Sequence, residues 1–419
     1  MNDPVLDAVV VGAGHSGLAI SYLLKKSGRN HHVLERGRIG ESWLNQRWDT
    51  FKLNTANKLN LLPGETVPST DPDGFSTAQK FADKLRAYAD AFSLPVQENC
   101  LVTAIERDPS SHLFTIRYFE NKKEKKRRSK SVVIASGGQS EKKIPPFSRF
   151  ISPDIFQYHA ADYRNAAQLP DGAVLVVGSA QSGVQIAEDL LEAGRKVFLC
   201  TSNVGRVPRR YRGKDVVDWL IECGFYVLKT SEADLQTIQS KVPQVSGVGP
   251  QGRTVSLQSL AKRGAVILGK MDHAHGDTIT LQPNAAAHIL FGDQFSAKVK
   301  TMIDGLIERM QLPAAPPETD ESDLPDESAT CASPLSVLDL KQHLINSIIW
   351  TTGFGADLSY LKLPVMHADG TPIHQEGISD IGGLFFLGFP WLRMRQSGII
   401  LGVKDDAEFI FQRMEEFLS

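Results

Sequence analysis

One pattern occurs twice in this chain and restricts its fold more than any other feature. Residues 7–17 read DAVVVGAGHSG, an apolar run entering a glycine cluster, and SGLAISYLLKK follows with helical apolar spacing. Gly12, Gly14 and Gly17 stand at the G-x-G-x-x-G spacing, with His15 and Ser16 inside the turn. The first glycine permits a tight turn out of a strand, and the second lets a pyrophosphate approach the backbone. The third lets the next helix pack closely on the sheet. That helix directs its free N–H groups and positive dipole end at the phosphates. A second run, HHVLE, ends at Glu35, with Arg36 next, and 35 − 12 = 23 residues separate this acid from the first glycine. An acid at that distance accepts a hydrogen bond from a ribose hydroxyl. Strand, helix, second strand and acid in register predict a dinucleotide-binding unit.

The pattern returns at Ala173, in AVLVVGSAQSGVQIAEDLLEAGRKVFLCTS. Gly178, Ala180 and Gly183 hold the fingerprint positions, with Gln181 and Ser182 between them, and Ala180 replaces the middle glycine. The position matching Glu35 is 178 + 23 = 201, a neutral threonine, and Arg206, Arg209 and Arg210 follow. A neutral residue with nearby arginines suits a 2′-phosphate better than a free 2′-hydroxyl, which favours NADPH over NADH. Two dinucleotide folds in one chain imply electron passage from a soluble nicotinamide to a fixed flavin.

Composition excludes several other classes. A chain of 419 residues is long enough for two or three domains, and a net charge of −2 with 42% hydrophobic residues gives no global basic excess for nucleic acid. The run NKKEKKRRSK (121–130) reads as a solvated loop joining two strands. The start, MNDPVLDAVV, is acidic and runs straight into the first strand, so no signal peptide is expected and a cytoplasmic setting is. The late apolar stretch GGLFFLGFPWLRMRQSGIILGV is broken by Arg393 and Arg395, which argues against a membrane span. Cys100, Cys200, Cys223 and Cys331 form neither a CxxC pair nor a zinc spacing and read as structural. The HAH at 273–275 has no third ligand, so no metal is expected.

Between these landmarks, residues 37–64 read as an irregular segment of loops and short helices carrying Trp43 and Trp48. A helix is predicted over Thr77–Phe92, and LVTAIER and LFTIRYF alternate as an antiparallel pair. SVVIASGG (131–138) reads as a buried strand. A helix at 288–310 places Phe291, Phe295, Val299, Ile303, Leu306 and Met310 on one face, against the core or as part of a substrate lid. PPETDESDLPDESA (316–329) reads as an exposed, mobile linker. LINSIIWTTGF, GLFFLGF and a closing helix complete the first unit. The expected fold is α/β, with two Rossmann-like domains and the second inserted into the first. Residues 1–147 and 335–419 form the flavin domain, and 148–334 the NADPH domain with a substrate or lid insertion.

Family-level likeness narrows the reading at the connection between domains. The chain resembles the class B flavin monooxygenases, which include flavin-containing monooxygenases, YUCCA-type indole-pyruvate enzymes and Baeyer–Villiger enzymes. Their pattern FxGxxxHxxx followed by Tyr or Trp aligns with PDIFQYHAADY, which keeps His159 and Tyr163 but has Pro153 and Ile155 at the Phe and Gly positions. Both fingerprints, GESW, VVIASGG and TTGF (with Gly353 and Phe354) extend the likeness, and residues 211–330 add little. Tyr163, rather than Trp, leans toward heteroatom oxidation and YUCCA-like chemistry. The resemblance implies FAD, with Glu35 on the adenosine ribose, Trp43 along the flavin and Val102 near the adenine. It places Asn54 beside the reactive edge of the flavin and gives His159 a role in coupling the domains. It further implies hydride transfer from NADPH, formation of a C4a-(hydro)peroxyflavin with O2, and oxygenation of a small organic substrate. The alternative is a flavin reductase serving a partner protein or quinone, and a non-catalytic flavoprotein is the third reading. Members of the family often dimerise, so a homodimer stays open.

Overall fold

The structure, a computed structural model, describes residues 4–240, 242–249, 252–326, 328 and 330–419. Strand β1 (Leu6–Val11), helix α1 (His15–Lys26) and strand β2 (His31–Leu34) make the first strand–turn–helix–strand unit. Every residue of β1 except Asp7 is buried, as a parallel strand covered on both faces requires. After the short α2 (Glu41–Asn45), α3 (Ala78–Ala91) covers the predicted helix. The Thr77 side chain caps it by accepting from the Lys80 N–H at 3.2 Å, and Phe81, Leu85 and Tyr88 face the core.

Strands β3 (Val96–Gln97), β4 (Cys100–Arg107), β5 (Phe114–Glu120) and β6 (Lys123–Ile134) extend the sheet in the order β3-β2-β1-β6-β5-β4. Residues 121–130 are therefore no loop, because most of them form the first half of β6. That half pairs antiparallel with β5, and its charged side chains stay in solvent, with Lys125 paired to Glu120. The ladder satisfies the backbone while one long strand passes from a solvated ribbon into the core. The second half runs parallel to β1, as Val9↔Val132 and Val11↔Ile134.

The chain then leaves through β7 (Glu141–Lys142) into a second parallel sheet. This sheet is built from β8 (Phe156–His159), β9 (Ala173–Val177) and, after α4 (Gln181–Glu192), β10 (Val197–Cys200). A small helical region follows, with β11 (Arg210–Tyr211), β12 (Lys214–Asp215), α5 (Val216–Glu222), α6 (Leu235–Gln239) and α7 (Leu257–Lys262). Next come β13 (Val266–Leu268), β14 (Met271–His275), β15 (Thr278–Leu281) and the long α8 (Ala285–Met310). His273 and His275 lie on β14 rather than in a loop. On α8 the buried face runs through Ile289, Gly292, Ser296, Val299, Ile303 and Leu306, so the predicted stripe is rotated at both ends and Phe291 and Met310 are exposed.

The second sheet takes the order β13-β10-β9-β17-β8, where β17 is Ile345–Trp350. Strand β16 (Val337–Asp339) pairs with β15, and β17 pairs with both β9 and β8. The expected return to the first domain at 335 is thus corrected to the stretch after Trp350. A largely buried strand flanked by two parallel partners gains more from the second core than from the first. There β18 (Phe354–Gly355) pairs antiparallel with β7, so the outgoing and returning connections lie side by side. Strand β19 (Leu384–Phe386) then joins β6 in parallel, and α9 (Val403–Leu418) closes over α1. Arg29 donates two hydrogen bonds to Glu415, at 2.8 and 2.7 Å, and fixes that closure.

Candidate functional site

The carboxyl ends of β1, β2, β6 and β19 share one edge, and the loops leaving them meet there. At Gly12, φ is +104°, and an added Cβ would lie 2.6 Å from the Ala135 carbonyl oxygen beyond β6. At Gly17 it would lie 1.9 Å from the Gly12 carbonyl oxygen, so only glycine lets α1 leave the turn. A Cβ at Gly14 would meet nothing within 4 Å, which leaves open space where α1 presents its first N–H groups. His15 begins α1, and its Nε2 is buried with no partner among the described residues. Burial pushes its imidazole down to about 4, so it is neutral at ordinary pH. Ser16 packs under Gly388, from the loop after β19.

Glu35 is 8% exposed, and its carboxylate accepts from the Ala13 N–H at 2.7 Å and the Gly37 N–H at 2.9 Å. Burial pushes its pKa up, opposed by those two backbone donors. The carboxylate is thereby fixed beside the glycine turn, with lone pairs left for a further donor. Arg36 is exposed, and Val102 is buried on β4 among Val9, Val11 and Leu34. Trp43 packs edge-on to Phe81 at 4.9 Å. Arg47, unremarked in the sequence, stacks on Trp43 at 5.0 Å and donates to Gln139 at 2.9 Å, past the end of β6.

The second turn repeats the geometry. Gly178 has φ +111°, a Cβ at Gly183 would lie 1.9 Å from the Gly178 carbonyl oxygen, and Ala180 caps α4. The Thr351 hydroxyl donates to the carbonyls of Val177 and Gly178, both at 2.9 Å, and closes the turn from β17's side. Gln181 and Ser182 are half-buried at the start of α4, and Gln181 exchanges hydrogen bonds with the Val245 backbone.

The arginines expected at a 2′-phosphate are placed differently. Arg206 is 2% exposed and gives its guanidinium to Asp293, at 2.5 and 3.2 Å, and to Asp323. Asp323 belongs to the acid-rich stretch read as a mobile linker, which is instead anchored by this pair and by Ser296 and Lys300. Burying a guanidinium is costly without carboxylates, and the linker supplies one of them. Arg209 is equally buried, pairs with Asp215 and stacks over Phe75 at 4.5 Å. Of the three, Arg210 alone is exposed, donating to the Gly213 carbonyl at 3.0 Å. Thr201 is turned inward, its hydroxyl on the Leu268 carbonyl at 2.6 Å.

Asn54 lies where the two domains face each other. Its amide oxygen accepts from Gln185 of α4 at 3.0 Å and from the Gly247 N–H at 3.3 Å, and its carbonyl accepts from Arg209 at 2.9 Å. A backbone N–H can only donate, so the oxygen is the buried end and the NH2 group points away, without a partner among the described residues. Gln185 escaped sequence reasoning, although a buried glutamine on the apolar face of α4 was the available signal.

His159, 1% exposed, accepts from the Ala161 N–H at 3.2 Å and donates from Nε2 to the Gly353 carbonyl at 3.0 Å. Its ring stands edge-on to Phe354 at 4.8 Å, and burial pushes it toward the neutral form. Both nitrogens are occupied, so this histidine ties the β8 end to the returning connection and moves no proton.

Comparison with known proteins places this architecture. Residues 9–237 match the family model described as pyridine nucleotide-disulphide oxidoreductase. An uncharacterized oxidoreductase, CzcO-like, from Geobacillus kaustophilus is 30% identical over 409 residues, 97% of both chains. The probable indole-3-pyruvate monooxygenase YUCCA9 of Arabidopsis thaliana is 30% identical over 209 residues, 49% of each chain. A flavin-containing monooxygenase from Stenotrophomonas maltophilia superposes over the full length of both chains with a TM-score of 0.67 at 17% identity, which shows the fold.

Proposed function

The chain belongs to the pyridine nucleotide-disulphide oxidoreductase family, and we propose that it is an NADPH- and O2-dependent FAD monooxygenase of the class B type. The observation that carries this reading is the pair of glycine turns, each opening an α-helix at the carboxyl edge of its own parallel sheet, with Asn54 between them. The first turn fits FAD. Gly14 leaves room for the pyrophosphate, the orphaned His15 Nε2 lies beside it, and Glu35 is oriented for ribose hydroxyls. Trp43 and Arg47 lie along the side where the ring system would extend. Bound flavin supplies redox chemistry and reactivity toward O2.

NADPH is assigned to the second turn, with Gly178, Ala180, Ser182 and Gly183 at its pyrophosphate. Arg210 and the absence of an acid at Thr201 favour the 2′-phosphate. The chain's own contribution is orientation. Gln185 and Gly247 hold the Asn54 oxygen, so its NH2 can donate into the crevice, and a preorganised donor of this kind costs no rearrangement during reaction. His159 ties the β8 end to the returning connection, and Asp189, oriented by Tyr163, accepts from Thr50 of the first domain.

Disulfide reduction through the chain's own thiols fits poorly. All four cysteines are free, and burial pushes Cys100 up to about 11 and Cys200 up to about 12, far from a reactive thiolate. The test is turnover of the FAD-loaded protein with NADPH and 18O2 over a panel of thioethers, amines and ketones. One 18O atom in product is expected. Flavin bleaching that always ends in peroxide or in a reduced quinone would overturn the proposal in favour of a reductase.

A further inference from the structure

The arm after β19 carries a cation with no carboxylate partner among the described residues. Leaving the carboxyl edge of the first sheet, it passes Ser16 at Gly388 and Gly138 at Pro390, then crosses to the helical region of the second domain. There it is tied to residues 226–230: Arg395 N–H to the Leu228 carbonyl at 2.9 Å, Gln396 N–H to Tyr226 at 3.0 Å, and Thr230 N–H to Arg393 at 2.8 Å. The two arginines of this arm differ. Arg393 pairs with Asp406 at 3.4 Å. Arg395 has no carboxylate partner among the described residues. It is half-buried, lies 3.9 Å over the Phe225 ring and 5.5 Å from the Trp391 ring, and spends one N–H on the Phe225 carbonyl at 3.1 Å.

Three further observations converge on the same spot. Tyr226, beside Phe225, has a hydroxyl with no hydrogen-bond partner among the described residues, and burial keeps it a neutral donor, pushed up to about 12. Burial also lowers the Arg395 pKa, as desolvation of a guanidinium does. Trp391 holds φ at +57°, a strained conformation for a bulky residue, and Thr230 clamps its carbonyl at 2.8 Å. Strain of this kind persists where surrounding contacts fix a side chain in place. Two donors and two aromatic walls, with no carboxylate bonded to either donor among the described residues, form a receptor for a planar anion.

We propose that Arg395 and Tyr226 recognise the carboxylate of the substrate, so that this protein oxygenates organic acids in preference to neutral compounds. This rests on the monooxygenase reading for the word substrate, while the binding claim stands independently. A charge-assisted pair to a carboxylate makes a roughly tenfold to hundredfold difference in affinity.

The test uses FAD-loaded protein, 4-(methylthio)benzoate and its methyl ester, with binding read by calorimetry and oxygen transfer read by 18O incorporation. The acid should bind at least tenfold tighter than the ester. Arg395→Gln should remove that preference and Arg395→Lys should restore part of it, with FAD absorbance confirming a folded protein. If Arg395→Gln does not load FAD, the native acid-to-ester comparison decides alone. Equal affinity of acid and ester, including no measurable binding of either, overturns the proposal. A rise in NADPH half-saturation in Arg395→Gln with acid binding unchanged also overturns it, assigning the guanidinium to the cofactor phosphate. Tight acid binding without 18O incorporation leaves this inference standing and removes the monooxygenase reading instead.

Discussion

Replacing Arg206 by alanine separates a structural cation from a phosphate ligand. In the native protein its guanidinium makes four hydrogen bonds, to Asp293 Oδ1 twice, to Asp323 Oδ1 and to the Asp323 carbonyl. Lys300 also reaches Asp323, at 2.8 Å, so the cluster holds two cations against two carboxylates. Removing Arg206 leaves Asp293 without a cation, although Gln258 and the Asp326 N–H still donate to it at 2.8 and 3.1 Å. Breaking one partner out of a buried pair typically costs about 3–5 kcal/mol. The surviving donors place this case at the lower end, about 3 kcal/mol, or a fall in melting midpoint on the order of 10 °C for the second domain. The side chains are under a tenth exposed, so salt should screen the loss little. Calorimetric melts of Arg206→Ala and of Arg206→Met/Asp293→Asn supply the measurement. The double variant restores charge balance and should recover most of the midpoint. A native-like melt with raised NADPH half-saturation and unchanged use of NADH would refute this and return Arg206 to the cofactor.

Gly12→Val should abolish FAD loading, read as loss of absorbance near 450 nm, because a Cβ there meets the Ala135 carbonyl at 2.6 Å. Asn54→Ala should leave NADPH-driven flavin bleaching near native under anaerobic conditions. It should cost about 3–4 kcal/mol in oxygen transfer and raise the peroxide yield. Gln185→Leu should give a weaker form of the same split, and parallel loss of both steps would make Asn54 a structural turn residue. Asp406→Asn should stabilise the protein near neutral pH. Burial pushes the Asp406 carboxyl up to about 6 from 3.8, and Oδ2 has no partner among the described residues. A raised value makes the contribution full below about pH 3.8 and lost as pH rises through about 6. The asparagine variant should therefore melt higher at pH 7.5, by up to about 3 kcal/mol, with the gain shrinking below pH 6. A gain that does not change with pH would refute the assignment.

Local patterns with one physical solution were legible in the sequence. The glycine turns are such a case, since close approach of Gly17 to Gly12, and of Gly183 to Gly178, admits no side chain. The helix from Ala78 to Ala91 was likewise marked by its apolar stripe. Charge was the misleading signal. The charged side chains at 123–128 are exposed or half-buried, yet their backbone belongs to a ladder with β5, and side-chain polarity says nothing about that pairing. Arg206 and Asp323 each look like surface groups, and only the fold brings them together across 117 residues of chain. Strand β17 was assigned to the wrong sheet for a related reason. A run such as INSIIW, apolar at four of its six positions, fits any buried parallel position, and its neighbours β9 and β8 are chosen by tertiary packing.

The motif between the domains shows what selection of residue types achieves at a joint. Where it keeps the family pattern, one side chain reaches the returning connection and the other orients an acid that bonds the first domain. His159 reaches the Gly353 carbonyl, and the Tyr163 hydroxyl donates to Asp189 of α4 at 2.5 Å. The same Asp189 carboxylate accepts from Thr50 of the first domain at 2.6 Å, so one acid on the second nucleotide helix holds both halves. Asn165 and Arg164 extend the seam to Asp49, at 2.6 and 2.8 Å. Where the motif departs, the residues do other work. Ile155 is buried in the core of the second domain with Leu175 and Trp350, and Pro153 lies in an exposed turn before β8. Neither touches the seam described above. The departures therefore change local packing and leave the joint whole, and the separation of the two glycine turns follows from Asp189, Tyr163 and His159.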